Sequence, residues 1–463
     1  MELTKFVKIK QSKETFHNED SIKLLWPDFL FILVLIWVQI FGNVVTTGTY
    51  VFLFFYALLS NEKAIKALTM GVILCFLNPG LFSGSEYSYF LRWILLFSAA
   101  CRVYLSQMAL SWTVPKYLFY LFIFSVASTI FSLLNSYAIF VSLAKIIVFF
   151  IGFSTVLLGF KQTTNSSWRS WYFTFFSAVL ISGLPLLYMS EGYVRNSKGF
   201  QGILNHPQAY GIYMIVPTIW LTGIWLVNKK VSSIMKIIIL GGWITIFATR
   251  SRAAILAAIL GILFTVVIAF FRRPSWNKNL LRFIRKPVFI AMIFLVIIIM
   301  IFPGNIVKET IGDFIYKNPG SIYENIYNSR GFLIERSWKN FKEHPLIGIG
   351  FGVASDKEKF IIKKSKNINI SLGAPTEKGF LVIALLEEVG IIGTLLFLIF
   401  FIELAKPIIK YGDLPSAWLF WSAFFISFGE MVFFSPGGLG MHVWLCFGLV
   451  INYTLKIKES IDL

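Results

Sequence analysis

The sequence predicts an all-α polytopic integral membrane protein, with about 12–14 transmembrane helices and one large, partly helical loop outside the membrane. Three observations carry this. Hydrophobic residues make up 57% of the chain, mean hydropathy is +0.74 and only 14% of residues are charged, against roughly 25% in soluble domains. Apolar runs long enough to cross hydrocarbon recur along nearly the whole length. The 49 Phe and 14 Trp suit lipid-facing and interfacial positions. A chain of 463 residues can bury a large soluble core, but not a dozen or so such runs.

A polar tail, residues 1–25, comes first; it is too polar for a cleaved signal peptide. Eleven spans are expected within 26–302, at 26–45, 47–60, 64–82, 88–108, 115–134, 138–160, 168–189, 208–227, 232–249, 252–271 and 287–303. The second is short, and the fourth contains Arg92 and Arg102. Pro185 and Pro217 inside spans are tolerated in membrane helices. The large loop occupies 303–376; three further spans lie within 377–455, at 378–401, 414–434 and 438–455, and a tail occupies 456–463.

The net charge of +19 is spent on topology rather than on nucleic acid. Lys63 and Lys66, Lys161 and Arg169, Lys229, Lys230 and Lys236, the run FRRPSWNKNLLRFIRKP, and Lys406 and Lys410 all fall on one side of the spans. So do both termini, which the positive-inside rule makes cytoplasmic. The 190–207 and 303–376 loops then face outward; long loops translocate largely regardless of charge. Cys75, Cys101 and Cys446 sit in apolar runs without paired or metal-like spacing, so they read as packing residues, and neither a metal nor a cofactor is expected. No internal repeat suggests a nested transporter architecture.

The middle of the large loop reads NSRGFLIERSWKNFKEHPLIGIGFG. Ser329 is a candidate cap, Glu335 and Lys339 are spaced i,i+4, and Ile334, Trp338 and Phe341 share a stripe. His344-Pro345 should end that helix, and Gly348, Gly350 and Gly352 permit a tight turn that a ligand can approach.

Several charges are out of place for a plain membrane bundle. Arg250 and Arg252, in IFATRSRAAILAAI, fall where two spans meet with almost no loop, at the outer boundary. They either snorkel to headgroups or bind an anion. Outer arginines oppose the topology bias, and Ala253, Ala254, Ala257 and Ala258 invite close helix packing. Both features favour an anion site gripped by guanidinium forks. On the same face lie Arg195, Lys198 and His206 in SEGYVRNSKGFQGILNHPQAYG, and Arg330, Arg336, His344 and Glu377 in the large loop. Their plain alternatives are interfacial hydrogen bonding and solvated helix faces. Glu387 and Glu388 lie two to three turns inside an apolar run and demand an interior partner or a polar cavity; Lys145, midway through its span, raises the same question.

Four of these stretches, in this order, resemble the O-antigen ligase/polymerase superfamily of bacterial envelope glycan assembly: NHPQAYG at 205–211, ATRSRAA at 248–254, SR…HPLIGIGFG at 329–352 and ALLEEVGIIG at 384–393. The resemblance implies a glycosyltransferase of the bacterial cytoplasmic (inner) membrane, working on its outer face without metal or nucleotide sugar. Its donor would be an undecaprenyl-diphosphate-linked oligosaccharide and its acceptor a growing glycan, with a flippase and a chain-length regulator as expected partners. Arg252 and Arg330 look like the family's donor-diphosphate arginines, with Arg250 as helper. Arg195, Arg336, Glu387 and Glu388 fall to supporting or acceptor-binding roles. The family often places a histidine–asparagine pair before the glutamate–glycine segment. Here that stretch is GAPTEKGFL, so Glu377 is the nearest group able to take a proton, with His206 and His344 as the other catalytic candidates. This departure favours a polymerase of O-antigen, capsule or exopolysaccharide repeats over an O-antigen ligase acting on lipid A-core or protein. Direct displacement at the anomeric carbon would invert its configuration. A transporter of an anionic or lipid-linked substrate is the alternative outside enzymes.

Overall fold

A computed structural model describes residues 22–82, 88–109, 114–163, 167–193, 199–228, 230–272, 276, 331–358, 360, 363–364, 371–373 and 378–462. Ten helices lead the chain: α1 (Trp26–Trp37), continued by a 3-10 turn over Val38–Phe41, α2 (Asn43–Leu59), α3 (Asn61–Cys75), α4 (Ser88–Ala109), α5 (Lys116–Asn135), α6 (Ile139–Gln162), α7 (Trp168–Gly183), α8 (Pro207–Val227), α9 (Ser233–Thr249) and α10 (Arg252–Arg272). A short helix, α11 (Phe332–Glu343), and a two-stranded antiparallel pair, β1 (Lys363–Lys364) and β2 (Ser371–Gly373), belong to the large loop. The bundle closes with α12 (Leu381–Tyr411), α13 (Leu414–Gly429) and α14 (Leu439–Asp462). Thirteen of the expected spans thus coincide with helices, and the expected 287–303 span lies outside the described residues.

Among the described residues, seven helical segments are long and apolar enough to cross a membrane: Lys116–Asn135, Ile139–Gln162, Trp168–Tyr188, Pro207–Val227, Arg252–Phe271, Leu381–Tyr411 and Leu439–Glu459. Four shorter apolar helices accompany them, over Trp26–Phe41, Asn43–Leu59, Ser233–Thr249 and Leu414–Gly429. The protein is a multi-pass helical membrane protein.

The helix starts follow from local chemistry. Ser60, Ser232 and Asp413 each accept a hydrogen bond from the amide three residues on, and Pro27, Pro207 and Pro415 stand where a missing N–H costs nothing. Pro217 lies inside α8 without ending it.

Tight contacts fix which helices touch. A Cβ on Gly261 would lie 2.7 Å from the Ser422 Cα, and one on Gly429 would lie 2.8 Å from the Ala253 Cβ. Ala254, Ala257 and Ala258 are buried on the same helix. Small residues therefore bring α10 and α13 into backbone proximity, the usual means of helix association in lipid.

The contacts also sort the helix ends. Phe76 to Asn78 bonds to Ile203 to Asn205, and the Arg92 guanidinium donates to the Gly437 carbonyl at 2.8 Å. At the opposite end Lys23 bonds to Ser170, Asn61 to Gln162, Asn452 to Phe160 and the Trp276 indole to Gly412. Both ends of the described chain, Ile22 and the Lys456 turn, share that second end, where they flank Arg169. Trp276 belongs to the second end and α11 to the first, since Asn340 reaches Glu387 near the start of α12.

Candidate functional site at the loop-bearing end

Two groups of polar residues meet at the first end. One surrounds the turn between α9 and α10. Arg250 caps α9 in the left-handed conformation, φ 54 and ψ 27, the one such non-glycine among the described residues. That conformation costs about 1–2 kcal/mol for an L-residue, and it reverses the chain between two spans without a loop. Thr249 Oγ1 accepts the Ser251 amide at 3.1 Å, and the Phe200 amide donates to the Ala248 carbonyl at 3.0 Å. Both Arg250 and Arg252 are exposed at this rim.

The NHPQAYG stretch packs directly onto that turn. A Cβ on Gly199 would lie 2.9 Å from the Thr249 carbonyl oxygen, and one on Gly211 would lie 2.5 Å from the Ser251 Cβ. His206 caps α8, its Nδ1 accepting the Gln208 amide at 3.1 Å. The Gln208 side chain donates to Glu430 Oε1, at the end of α13. Gly429 against Ala253 closes the circle, so His206, Gln208, Glu430 and the arginine turn form one rim. Sequence reasoning missed Glu430. Its stretch, SFGEMVFF, reads as an ordinary span end, and the one available signal was a carboxylate at the same depth as the outer arginines.

The second group ties the large loop to α12. That helix breaks at Gly390, φ 66 and ψ −169, a region essentially reserved for glycine. Residues 344–352 form a strap across the break. The Ile349 and Gly350 amides donate to the Glu387 and Glu388 carbonyls at 2.8 and 3.0 Å. In return the Ile391 and Ile392 amides donate to Pro345 and Leu346 at 2.9 and 3.2 Å. HPLIGIGFG and ALLEEVGIIG are therefore two halves of one backbone joint. Phe351 anchors the strap in the aromatic core, its ring 5.1 Å from that of Phe434 and 6.0 Å from that of Phe149.

Beneath the strap lies a buried charge cluster. Lys378, 1% exposed at its side chain, bonds to Glu387 Oε2 at 2.5 Å and lies 3.8 Å from Glu388 Oε1. Asn340 donates to Glu387 Oε1 at 2.6 Å, Ser355 to Glu387 Oε2 at 3.0 Å, and the Gly352 amide to Glu388 Oε2 at 2.7 Å. Lys145 donates to the Gly352 carbonyl. The partner that Glu387 and Glu388 demanded is thus Lys378, and Lys145 belongs to the same system. Arg92 does not: it serves Gly437 and stacks over Trp93 at 4.7 Å.

The expected stripe runs along one side of α11, with the Trp338 and Phe341 rings 5.1 Å apart, Ile334 and Trp338 exposed and Phe341 half-buried. A second side faces the bundle: Ser337 is buried and Asn340 points to Glu387. The glycines of the strap are approached by the protein itself, since a Cβ on Gly348 would lie 2.4 Å from the Glu388 carbonyl carbon, and one on Gly352 2.5 Å from Lys145 Cδ. Arg336 pairs with Asp356 at 2.7 Å, bracing the loop. His344 is an exposed C-cap of α11. Tyr137 donates to the Ala354 carbonyl at 2.8 Å, and burial raises its phenol to about 12, so it remains a donor throughout the physiological range. Arg195, Arg330 and Glu377, and the candidate cap Ser329, lie outside the described residues. Among the described residues no group of three or more His, Cys, Asp or Glu gathers to hold a metal.

The two groups are neighbours, because Phe380 before α12 meets Phe428 near the end of α13, ring to ring at 4.8 Å. The fold and this end of it define a helical membrane protein with a cation-bearing rim beside a strapped, broken span. Residues 237–398 match the family model described as O-antigen ligase, so the resemblance carried by ATRSRAA, HPLIGIGFG and ALLEEVGIIG holds at the family level over that segment. NHPQAYG lies before the match but packs onto its arginine turn. No curated protein matches the chain.

Proposed function

We propose that the protein transfers a glycan from a polyprenyl-diphosphate donor, of the undecaprenyl type, to an acceptor hydroxyl at the outer face of the cytoplasmic membrane. The observation that carries the reading is the arginine turn: two exposed guanidiniums on a strained, loop-free reversal at the rim of a segment that matches the O-antigen ligase model. Cleavage of the glycosyl–phosphate bond leaves charge on a diphosphate, which fixed cations stabilise. Arg250 and Arg252, with Arg330 from the loop, would hold that diphosphate, and inversion at the anomeric carbon follows from direct displacement. The description of the matched family favours ligation, meaning transfer of a finished glycan to lipid A-core or protein. Repeat-unit polymerisation is the second reading, supported by the missing histidine in GAPTEKGFL. Incubation of the purified protein with lipid-linked repeat units decides between them. A single transfer to a non-polyprenyl acceptor is the result expected of a ligase. A ladder of lengthening lipid-linked products identifies a polymerase, and no transfer with either acceptor overturns the proposal in favour of transport.

The proposed orientation has its own test. Lys339 on α11 and Lys458 near the end of α14 are both exposed. Single cysteines there, in a Cys101→Ser background, are expected to label from opposite faces, Lys339→Cys from outside. Labelling of both from one face would exclude an extracytoplasmic site.

A further inference from the structure

We infer that α11 lies in the bilayer surface at the loop-bearing end, with its Ile334, Phe341 and Trp338 stripe and Leu346 of the strap immersed in lipid. The helix presents three sides rather than two. At 3.6 residues per turn, Leu333, Ser337 and Asn340 fall within about 60° of one another. They are the half-buried and buried positions, and Asn340 donates to Glu387 Oε1 at 2.6 Å. Phe341, Ile334 and Trp338 occupy a second arc, again about 60° wide. Lys342, Glu335, Lys339 and Glu343 take a third arc of about 100°, and all four are exposed. Phe332, in the first turn, is the one apolar residue on that charged arc. A helix lying on a protein in water needs only a packed side and a wet side; an exposed apolar side between them calls for a third environment.

Depth along α12 makes that environment the membrane. Hydrocarbon takes about 20 helical residues. Counting about 20 back from Glu403, whose carboxylate meets Lys406 towards the second end, reaches Ile383. Glu387, the partner of Asn340, is a turn inside that limit, and Ile391 and Ile392 are a further turn inside. The Ile391 and Ile392 amides donate to the Pro345 and Leu346 carbonyls. Leu346, 61% exposed, therefore sits at membrane depth beside Ile391, Ile392 and Leu395, the exposed apolar side of α12. Lipid covers that side of a spanning helix, and the strap and the α11 stripe extend the same surface into the loop. The indole of Trp338 suits the boundary between hydrocarbon and headgroups, and Lys339 and Lys342 can reach the headgroup level from the charged arc. Lipid thereby sets the height of the large loop against the bundle, independently of the chemistry proposed for the rim.

The test uses full-length protein in nanodiscs, with Ile334→Cys, Leu346→Cys, Lys339→Cys or Leu395→Cys introduced singly in a Cys101→Ser background and labelled with a small fluorophore. All four positions are exposed, so the packing of the bundle is left in place. Two quenchers are compared: phosphatidylcholine brominated on its acyl chains, and iodide in the water. Brominated lipid is expected to quench Leu346→Cys about as strongly as Leu395→Cys, the reference on the lipid-facing side of α12. It should quench Ile334→Cys severalfold more than Lys339→Cys, which iodide should quench instead. The contrast between Ile334 and Lys339, on one helix, separates immersion from a general approach of the loop to the membrane. Quenching by iodide rather than by lipid at Ile334→Cys or Leu346→Cys overturns the inference and places the stripe in water. Resistance of both positions to both quenchers overturns it in favour of a second copy or another protein on that face.

Discussion

Arg252→Ala is expected to reduce glycan transfer by about 10²–10³-fold, the usual loss when one preorganised group facing developing charge is removed. Arg252 is the exposed first residue of α10, so alanine there should leave the helix and its packing through Ala254 and Ala257 in place. Arg252→Lys should recover little, because an ammonium cannot reproduce a two-pronged contact with a diphosphate. Arg250 supplies an internal comparison. Its left-handed backbone means that Arg250→Gly removes the guanidinium while relieving about 1–2 kcal/mol of strain. Any loss of activity in that variant therefore belongs to the charge and not to the fold. Transfer assays and undecaprenyl diphosphate binding at equal membrane abundance check both. Wild-type activity of Arg252→Ala would remove the donor site from this turn.

Lys378→Ala should be the most destabilising single change at this end. It strands Glu387, which has no exposure, with only Asn340 and Ser355 as donors. Removing one partner of a buried pair costs about 3–5 kcal/mol, whereas replacing both by groups of similar volume is often nearly neutral. Lys378→Met with Glu387→Gln and Glu388→Gln should accordingly melt close to wild type in detergent, while Lys378→Ala alone melts well below it and exposes the strap to protease. Equal melting of Lys378→Ala and wild type would show that the cluster does not hold the loop.

The spans were legible because hydrocarbon imposes a length and a composition that any window of sequence reveals, and the described helices fall on the expected runs. The arginine turn was legible for the same reason: two charges without a loop contradict their surroundings. The strap joint was not. It is made of backbone groups from segments some 40 residues apart, roughly the spacing that leaves no local periodicity to read. Lys378 was passed over as the neighbour of Glu377. It precedes α12, so its spacing to Glu387 matches no helical register, and only the requirement that two buried carboxylates find a cation pointed to it. Glu430 lacked any such contradiction.

The break at Gly390 also bears on how the protein is made. Four backbone groups of α12 that a continuous helix would satisfy internally are instead completed by residues 345–350. In hydrocarbon each such group left alone costs several kcal/mol. The strap precedes α12 in the chain, so it emerges from the ribosome, and on the proposed orientation crosses the membrane, before the span that needs it. Span and loop are thus one unit of assembly. A chain whose strap is deleted or held back should stall with α12 poorly inserted, a defect of biogenesis in a segment that contributes no hydrocarbon-spanning residues of its own.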